Sequence, residues 1–314
     1  MPTRCCPPVP RSSKPCASAA SCSARAAAST ACSSAVRSGT IAARRTGSTT
    51  SIMPRYRSLF LSHGAPTLAT SQHPANAFLR SLGRDIERPR AVIVVSPHWM
   101  TRGYPVKQAD RYRAWHDFNG FPADLYQLQY PAPGDAALAD RVQAAISAAG
   151  LPTARDSDPQ IDHGVWVPLL LIWPEADVPL VQVSVSTGDA AAHWALGEAL
   201  KPLLDADDGL LLIGSGSLVH NLREIEPEFS PAPDWSRAFD GWISERLIAA
   251  DRAALVDYRR QAPNAARAHP TDDHLMPLFT AAGGGGGPAT KLHESFSYGG
   301  LSMSAYGWPA NPAH

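Results

Sequence analysis

The sequence predicts an α/β fold: a single domain whose largely parallel or mixed central sheet is flanked by helices. Along residues 53–314, short apolar segments of strand character alternate with longer segments of helical character. Neither an internal repeat nor a linker to a second domain is visible there. Hydrophobic residues make up 44% of the chain, enough for a substantial core. No apolar run reaches the roughly 20 residues that cross a membrane, so we expect no membrane partner.

Residues 1–52 differ from the rest of the chain. They hold seven Lys and Arg residues, no Asp or Glu, and all five cysteines. A transit peptide or a zinc-binding cysteine cluster would be alternative interpretations, but the cysteine spacing is not that of a zinc site. We predict a disordered extension that is not folded, or not translated if synthesis starts at Met53.

Residues 53–314 form the predicted folded domain, with 21 basic and 28 acidic residues. This acidic balance argues against a nucleic-acid partner, which needs a basic face. The domain contains no cysteine. It therefore fits a reducing cytoplasm. We also expect a monomer or a small homo-oligomer.

The first half of the domain is predicted to begin with a strand at 58–62. A helix at 74–82 starts near a proline, and a strand follows at 91–96. Residues 104–133 are rich in aromatic residues, glycine and proline, which predicts a lid or pocket wall, or a surface loop packed on its own aromatics. An amphipathic helix at 135–149 completes this half.

The second half continues the alternation, and its elements are predicted in chain order as follows. There is an apolar helix from His163 to Ile172, a strand at 178–185, a helix at 189–204, a strand at 210–213, helical residues 234–259, a helix at about 273–282 with Thr271 as its N-cap, a flexible loop from Gly283 to Gly287, and short strands at about 291–297 and 301–306. The last strands could pair antiparallel at an edge of the sheet.

Three histidines follow predicted strands, each close to glycine or proline: His63, His98 and His220. Ligands bind α/β sheets beyond the carboxyl ends of the strands, and neutral imidazole is the commonest protein ligand for zinc and iron. We therefore predict a metal site at the C-terminal ends of the strands. His163 and His274 begin helices that face the same crevice, and His116 lies in the aromatic segment. Structural roles are predicted for His73, His193, His293 and His314.

Other catalytic templates do not match. Gly214, Ser215, Gly216 and Ser217 have the wrong spacing for a nucleophile elbow, and Val219 breaks a dinucleotide-binding fingerprint. Neither an H-E-x-x-H motif nor a phosphate-binding P-loop is present.

Seven ordered motifs carry a resemblance to a known family. They are LFLSHGAP, VIVVSPHW, HDFNGFPADLYQLQYPAPG, DHGVWVPL, IGSGSLVHNLR, HPTDDHLMPLF and SMSAY. Together they resemble the class III extradiol ring-cleavage dioxygenases, in particular the 4,5-DOPA dioxygenase extradiol branch. The resemblance covers roughly residues 56–308 and makes residues 53–314 a dioxygenase-like catalytic domain.

The resemblance implies roles for individual residues of these motifs. His63, His98 and His274 would bind the metal, with His220 as acid/base and possible fourth ligand, and His163 as a further catalytic group. The wider superfamily uses two histidines and a carboxylate, so Asp273 is a weaker alternative to His274. Residues His116, Phe118, Phe121 and Tyr126 would line the substrate pocket.

The implied cofactor is Fe(II), and Zn(II) is plausible as the bound metal because an all-histidine set is neutral. The implied substrates are O2 and a small catechol, DOPA-like or other, whose proton His220 would accept as general base. Two alternatives remain open. One is a zinc hydrolase on the same histidines, and the other is an interaction protein like those of the Memo family, which is similar in fold.

Overall fold

Twelve β-strands and nine α-helices form the part of the chain described by this computed structural model, residues 53–207 and 209–310. The strands are β1 (Tyr56–Ser62), β2 (Ala91–Thr101), β3 (Val106–Lys107), β4 (Arg113–Ala114), β5 (Arg155–Asp156), β6 (Gln160–Ile161), β7 (Leu180–Ser186), β8 (Leu210–Gly216), β9 (Thr290–His293), β10 (Phe296–Ser297), β11 (Leu301–Ser302) and β12 (Ala305–Pro309). The helices are α1 (Pro74–Asp85), α2 (Ala136–Ala148), α3 (His163–Ile172), α4 (Ala190–Ala206), α5 (Asp234–Ile248), α6 (Arg252–Val256), α7 (Tyr258–Gln261), α8 (Ala265–Ala268) and α9 (Met276–Gly285).

Eight of the strands build one mixed sheet in the order β5-β3-β7-β2-β8-β1-β12-β9. Its centre, β7-β2-β8-β1, is parallel, and β12 and β9 continue it antiparallel at one side. The predicted α/β class with a largely parallel or mixed sheet is confirmed. The predicted antiparallel pairing of the last strands is also found, since β12 pairs antiparallel with both β1 and β9.

Helices cover both faces of the sheet. Leu59 and Leu61 of β1 face one hydrophobic cluster, which includes residues of α1 and α3, whereas Phe60 faces the other, which includes residues of α2, α4, α5 and α9. Side chains alternate between the faces of a strand, so a strand buried on both faces needs a continuous apolar run. This explains why β1 and β8 read as short, unbroken hydrophobic segments.

The early helices lie close to their predicted positions. In α1, the His73 side chain accepts a hydrogen bond from the backbone N–H of Ala75 at 3.2 Å and so caps the helix, with Pro74 as its first residue. The predicted helical stretch 234–259 is instead divided into α5, α6 and α7. Ala250 causes the first break, because its positive φ of 54° ends the right-handed helix.

The sequence interpretation of the last helix was wrong in two respects. Helix α9 begins at Met276 and has Leu275 as its N-cap without a side-chain hydrogen bond, so Thr271 does not cap it. Residues Gly283–Gly285 are the buried last turn of α9 and not a flexible loop. A Cβ on Gly283 would lie 2.3 Å from the Trp194 carbonyl oxygen of α4, so glycine is required for the two helices to pack closely.

Among the residues that the structure describes, no helix is long and apolar enough to cross a membrane. The predicted disorder of residues 1–52 and the structural role predicted for His314 lie outside those residues.

Candidate metal centre and active site

His63 stands directly after β1 and is almost completely buried, with 2% of its surface exposed. Its Nδ1 lies 3.0 Å from the Ser215 hydroxyl of β8. That hydroxyl donates its own proton to the Gly164 carbonyl oxygen at 2.5 Å, so it can only accept from His63. The proton of the neutral His63 ring is therefore on Nδ1, and the Nε2 lone pair is available.

His98 lies within β2, where the pairing of β2 with β7 shifts register between Ser96 and Met100. An irregularity of this kind redirects a side chain out of the regular strand alternation. It brings His98 Nε2 to 3.2 Å from His63 Nε2. His98 Nδ1 lies 3.4 Å from an Asp117 carboxylate oxygen, which favours the proton on Nδ1 here too. Two imidazole lone pairs then face each other, an arrangement that a cation would stabilise.

His163 is the first residue of α3, and Asp117 holds it in place. The carboxylate of Asp117 accepts hydrogen bonds from the His163 backbone N–H at 3.0 Å and from Nδ1 at 2.9 Å. The start of α3 is fixed to the sheet by buried Asp162, which accepts from Ser96 at 2.6 Å and from Gln182 at 2.7 Å. His163 Nε2 is thus also left without its proton.

The candidate ligand nitrogens of His63, His98 and His163 all lie within 4.8 Å of one another. This is the group in the described part of the chain whose donor atoms come close enough together to hold a metal ion. Its donors are imidazoles whose Nδ1 atoms are occupied by hydrogen bonds or a nearby carboxylate. Such partners fix the orientation of metal-binding histidines in proteins, so the residues present fit a metal ion.

His274 and His220 lie beside this group. The His274 ring centroid is 5.5 Å from that of His63 and 5.0 Å from that of His98. His274 Nδ1 lies 2.5 Å from an Asp273 carboxylate oxygen, which leaves its Nε2 open. The His220 ring stacks on His274, with centroids 3.5 Å apart and planes 6° from parallel.

The glycine-rich segment at the end of β8 positions His274. The Ser217 backbone N–H donates to the His274 carbonyl oxygen at 2.9 Å. A Cβ on Gly216 would lie 2.3 Å from that same oxygen, and one on Gly214 would lie 2.2 Å from the Pro277 carbonyl oxygen. These glycines therefore allow the segment that carries His274 to pack directly on the central strand.

Burial favours the neutral form of His63, His220 and His274. It lowers the pKa of His274 to about 3, and this effect outweighs the opposing influence of Asp273. Burial also lowers the pKa of His220 to about 4. The prediction of His220 as a general base had assumed the ordinary histidine pKa of about 6.5. For His63, burial and then the neighbouring histidines hold the pKa well below its usual range. Neutral imidazole is the form that binds metals.

The five histidines line one cleft of about 280 Å³, hereafter the histidine cleft. Its other walls include Phe118 and Phe121, which pack edge to face with their ring centroids 5.2 Å apart. His116 and Tyr126, also predicted for the pocket, stand behind them and are not among its lining residues. The Tyr126 hydroxyl lies 3.4 Å from the Phe118 carbonyl oxygen, and the His116 ring centroid is 5.7 Å from that of Phe118. Within the described part of the chain, the lining comprises His63, Gly64, Ala65, Pro66, His98, Phe118, Phe121, His163, Ser217, His220, Leu222, His274 and Leu301.

The comparisons with known proteins agree with this geometry. Residues 57–309 match the family described as the catalytic LigB subunit of aromatic ring-opening dioxygenase. The chain belongs to this family. The LigB match spans every histidine of the cleft, and it classes the protein as an enzyme, an oxidoreductase of the extradiol ring-opening type.

Named relatives of this LigB-family enzyme come from plants and bacteria. The 4,5-DOPA dioxygenase extradiol of Beta vulgaris is 39% identical over 254 residues, covering 79% of this chain and 94% of the relative. The protein of the same name from Escherichia coli K12 is 36% identical over 258 residues, with coverage of 79% and 93%. The resemblance predicted from the sequence motifs is confirmed.

A solved structure shows the same LigB-type fold. The crystal structure of an uncharacterized protein from Escherichia coli K12 matches with a TM-score of 0.65 and 32% sequence identity. The match covers 79% of this chain and 98% of the other.

Several polar residues that hold the cleft histidines were not predicted to do so. Asp117 and Asp162 occur in the sequence analysis only as letters of the motifs, and Ser215 was considered there only for a nucleophile elbow. Asp273 was considered as a metal ligand, whereas its carboxylate contacts His274 Nδ1. The available signal was the pairing of an aspartate with a histidine in the motifs HD, DH and DDH.

Proposed function

We propose that this enzyme is a metal-dependent extradiol dioxygenase that inserts both atoms of O2 into a small catechol. The observation that carries the proposal is the histidine cleft, where five imidazoles converge. The Nδ1 atoms of four of them lie against Ser215, Asp117 or Asp273. The names of the relatives, 4,5-DOPA dioxygenase extradiol, support the same reaction.

We propose His63, His98 and His274 as the metal ligands, with Fe(II) as the active metal and Zn(II) as a metal that the site would also bind. His63 and His98 are supported by their facing Nε2 atoms, 3.2 Å apart. His274 is supported by the family resemblance, whereas His163 competes for the third position because its nitrogen lies within the 4.8 Å group. A bound iron ion would acidify the catechol hydroxyls and connect the ring electronically with O2.

The chain itself supplies proton transfer and positioning. Neutral His220 can accept a proton from a catechol hydroxyl, and its ring is held by stacking on His274. His163 can hold a second proton at Nε2, since the Asp117 carboxylate beside Nδ1 stabilises the resulting cation. Phe118 and Phe121 flank the space for the ring and exclude water.

The test combines activity with metal content. The protein is loaded anaerobically with Fe(II) and supplied with a panel of catechols, while O2 uptake and the yellow ring-opened product are followed. We expect one O2 consumed per catechol, and no uptake by zinc-loaded protein. A zinc-loaded protein that hydrolyses esters or amides while the iron form consumes no O2 would contradict the proposal.

Metal analysis of single variants assigns the roles. His63→Ala, His98→Ala and His274→Ala are expected to lose bound metal, whereas His220→Ala and His163→Ala are expected to keep metal and lose turnover. Metal loss in His163→Ala together with retention in His274→Ala would identify His163 as the third ligand. Retention in all of these variants would show that the site is wrongly placed.

A further inference from the structure

The histidine cleft has a deep end and a mouth. His63 and His274 are 2% and 7% exposed, so the imidazoles occupy the deep end. Leu222 lines the same cleft but is 58% exposed, which places it at the mouth. If the proposed function is correct, the two catechol oxygens lie at the imidazoles. A substituent on the opposite side of the ring then points towards Leu222.

The wall along this direction is apolar. Leu301, which is 7% exposed, lines the cleft together with Leu222, Phe118 and Phe121. Among the described lining residues, Ser217 alone bears a hydroxyl, which donates to the Val219 carbonyl oxygen at 2.8 Å. An alkyl substituent would therefore cover apolar surface that is open to water at the mouth.

No Lys or Arg belongs to the lining of the histidine cleft, which is formed by residues of the described chain. The carboxylates nearest to the imidazoles are Asp117 and Asp273, both of like charge to a substrate carboxylate. Of the cations around the mouth, Arg267 is paired with Glu224. Arg223 follows Leu222 in the chain but is exposed and is not part of the lining. A substrate carboxylate would lose part of its water against this apolar wall without gaining a cation from the described lining.

We infer that this enzyme selects neutral catechols with an apolar substituent at ring carbon 4, and that Leu222 is a specificity-determining residue. The inference rests on the proposed function and refines its substrate class. Carboxylated catechols, such as amino-acid or benzoate derivatives, are the disfavoured class, because the described lining offers their carboxylate no positive partner.

The test uses two ligands of matched shape, 4-propylcatechol and 3-(3,4-dihydroxyphenyl)propanoate, which differ by a methyl group in place of a carboxylate. Their binding to the full-length, zinc-loaded protein is measured by calorimetry, and kcat/KM for each is measured with the iron-loaded protein. We expect 4-propylcatechol to bind at least about tenfold more tightly, since the carboxylate would be partly desolvated without a partner.

Variants at the mouth locate the selectivity. Leu222→Ala should weaken the binding of 4-propylcatechol about fivefold and that of unsubstituted catechol much less, because the substituent makes most of the contact with the lost side chain. Leu222→Arg should favour the propanoate. Ile225→Ala is the matched control: Ile225 is 52% exposed in the same segment and does not line the cleft. It should behave as wild type.

Tighter binding of the propanoate by the wild type would overturn the inference, as would equal losses of catechol and 4-propylcatechol in Leu222→Ala. If none of the catechols binds to the zinc form or is turned over by the iron form, the proposed function itself fails. The two failures are therefore distinguishable.

Discussion

Individual carboxylates determine how the cleft histidines present their nitrogens. Asp117 accepts from the backbone and Nδ1 of His163 and lies 3.4 Å from Nδ1 of His98. Burial alone would raise the pKa of Asp117, but the hydrogen bonds that its carboxylate accepts from His163 hold the pKa below its usual range, so the carboxylate stays ionised. One buried anion thus orients two imidazoles at once.

We expect Asp117→Asn to weaken metal binding about 10- to 100-fold and to lower turnover. A neutral amide would replace the carboxylate that lies against Nδ1 of His163 and Nδ1 of His98. Metal affinity is measured by competition with a chelator, and turnover by O2 uptake. Asp124→Asn is the control, since Asp124 is exposed in the same segment. Unchanged metal affinity and turnover in Asp117→Asn would show that Asp117 does not orient the site.

At this scale the sequence predicted which histidines converge but not what holds them. His63 and Ser215 are 152 positions apart, and Asp117 and His163 are 46 apart. A hydrogen bond over such a separation depends on how the strands are ordered in space, which local patterns do not encode. The histidines could be predicted because each stands near glycine, proline or aspartate at the boundary of an element.

At the scale of elements, the ends of strands could be predicted from the sequence, whereas the close packing of helices could not. The end of β1 before His63 follows from Gly64 and Pro66, which interrupt the extended backbone. The run Gly283–Gly287 was predicted to be flexible from composition alone. In the fold, Gly283 to Gly285 form the last turn of α9. Glycine is needed where α9 and α4 pack together, because a Cβ on Gly283 would lie 2.3 Å from the Trp194 carbonyl oxygen and one on Gly197 would lie 2.2 Å from the Thr280 carbonyl oxygen.

Gly216→Ala is expected to destabilise the protein by about 2–3 kcal/mol, since its Cβ would press against the His274 carbonyl oxygen. It should also weaken metal binding if His274 is a ligand. The free energy of unfolding is measured by denaturant titration of the metal-free protein, so that metal loss does not contribute.

The control for this variant is Gly241→Ala in α5. A Cβ at Gly241 meets no atom within 4 Å, so the substitution should stabilise the helix by about 0.5–1 kcal/mol. If Gly216→Ala proved as stable as wild type, the close approach of the His274 segment to β8 would not be a constraint.

At the scale of the molecule, the order of the strands assembles the site. Strand β8 lies between β2 and β1, so the elements leading to His98, His220 and His63 are neighbours although β8 comes more than a hundred residues later in the chain. The sequence predicted the α/β class and the shared crevice. It could not predict this order, because parallel strands of similar apolar composition can be exchanged without changing any local pattern.

The described elements and the named lining residues of the histidine cleft lie between residues 53 and 310, and the family match spans residues 57–309. We therefore expect a chain that starts at Met53 to keep the metal content, O2 uptake and melting temperature of the full-length protein, within about 2 °C, since it retains every lining residue named for the cleft. A chain that starts at Gly64 is the control. It lacks β1, which pairs with both β8 and β12 in the sheet, and should not fold, because a buried central strand and its hydrogen bonds are lost. Loss of metal or activity in the chain that starts at Met53 would assign residues 1–52 a part in the site.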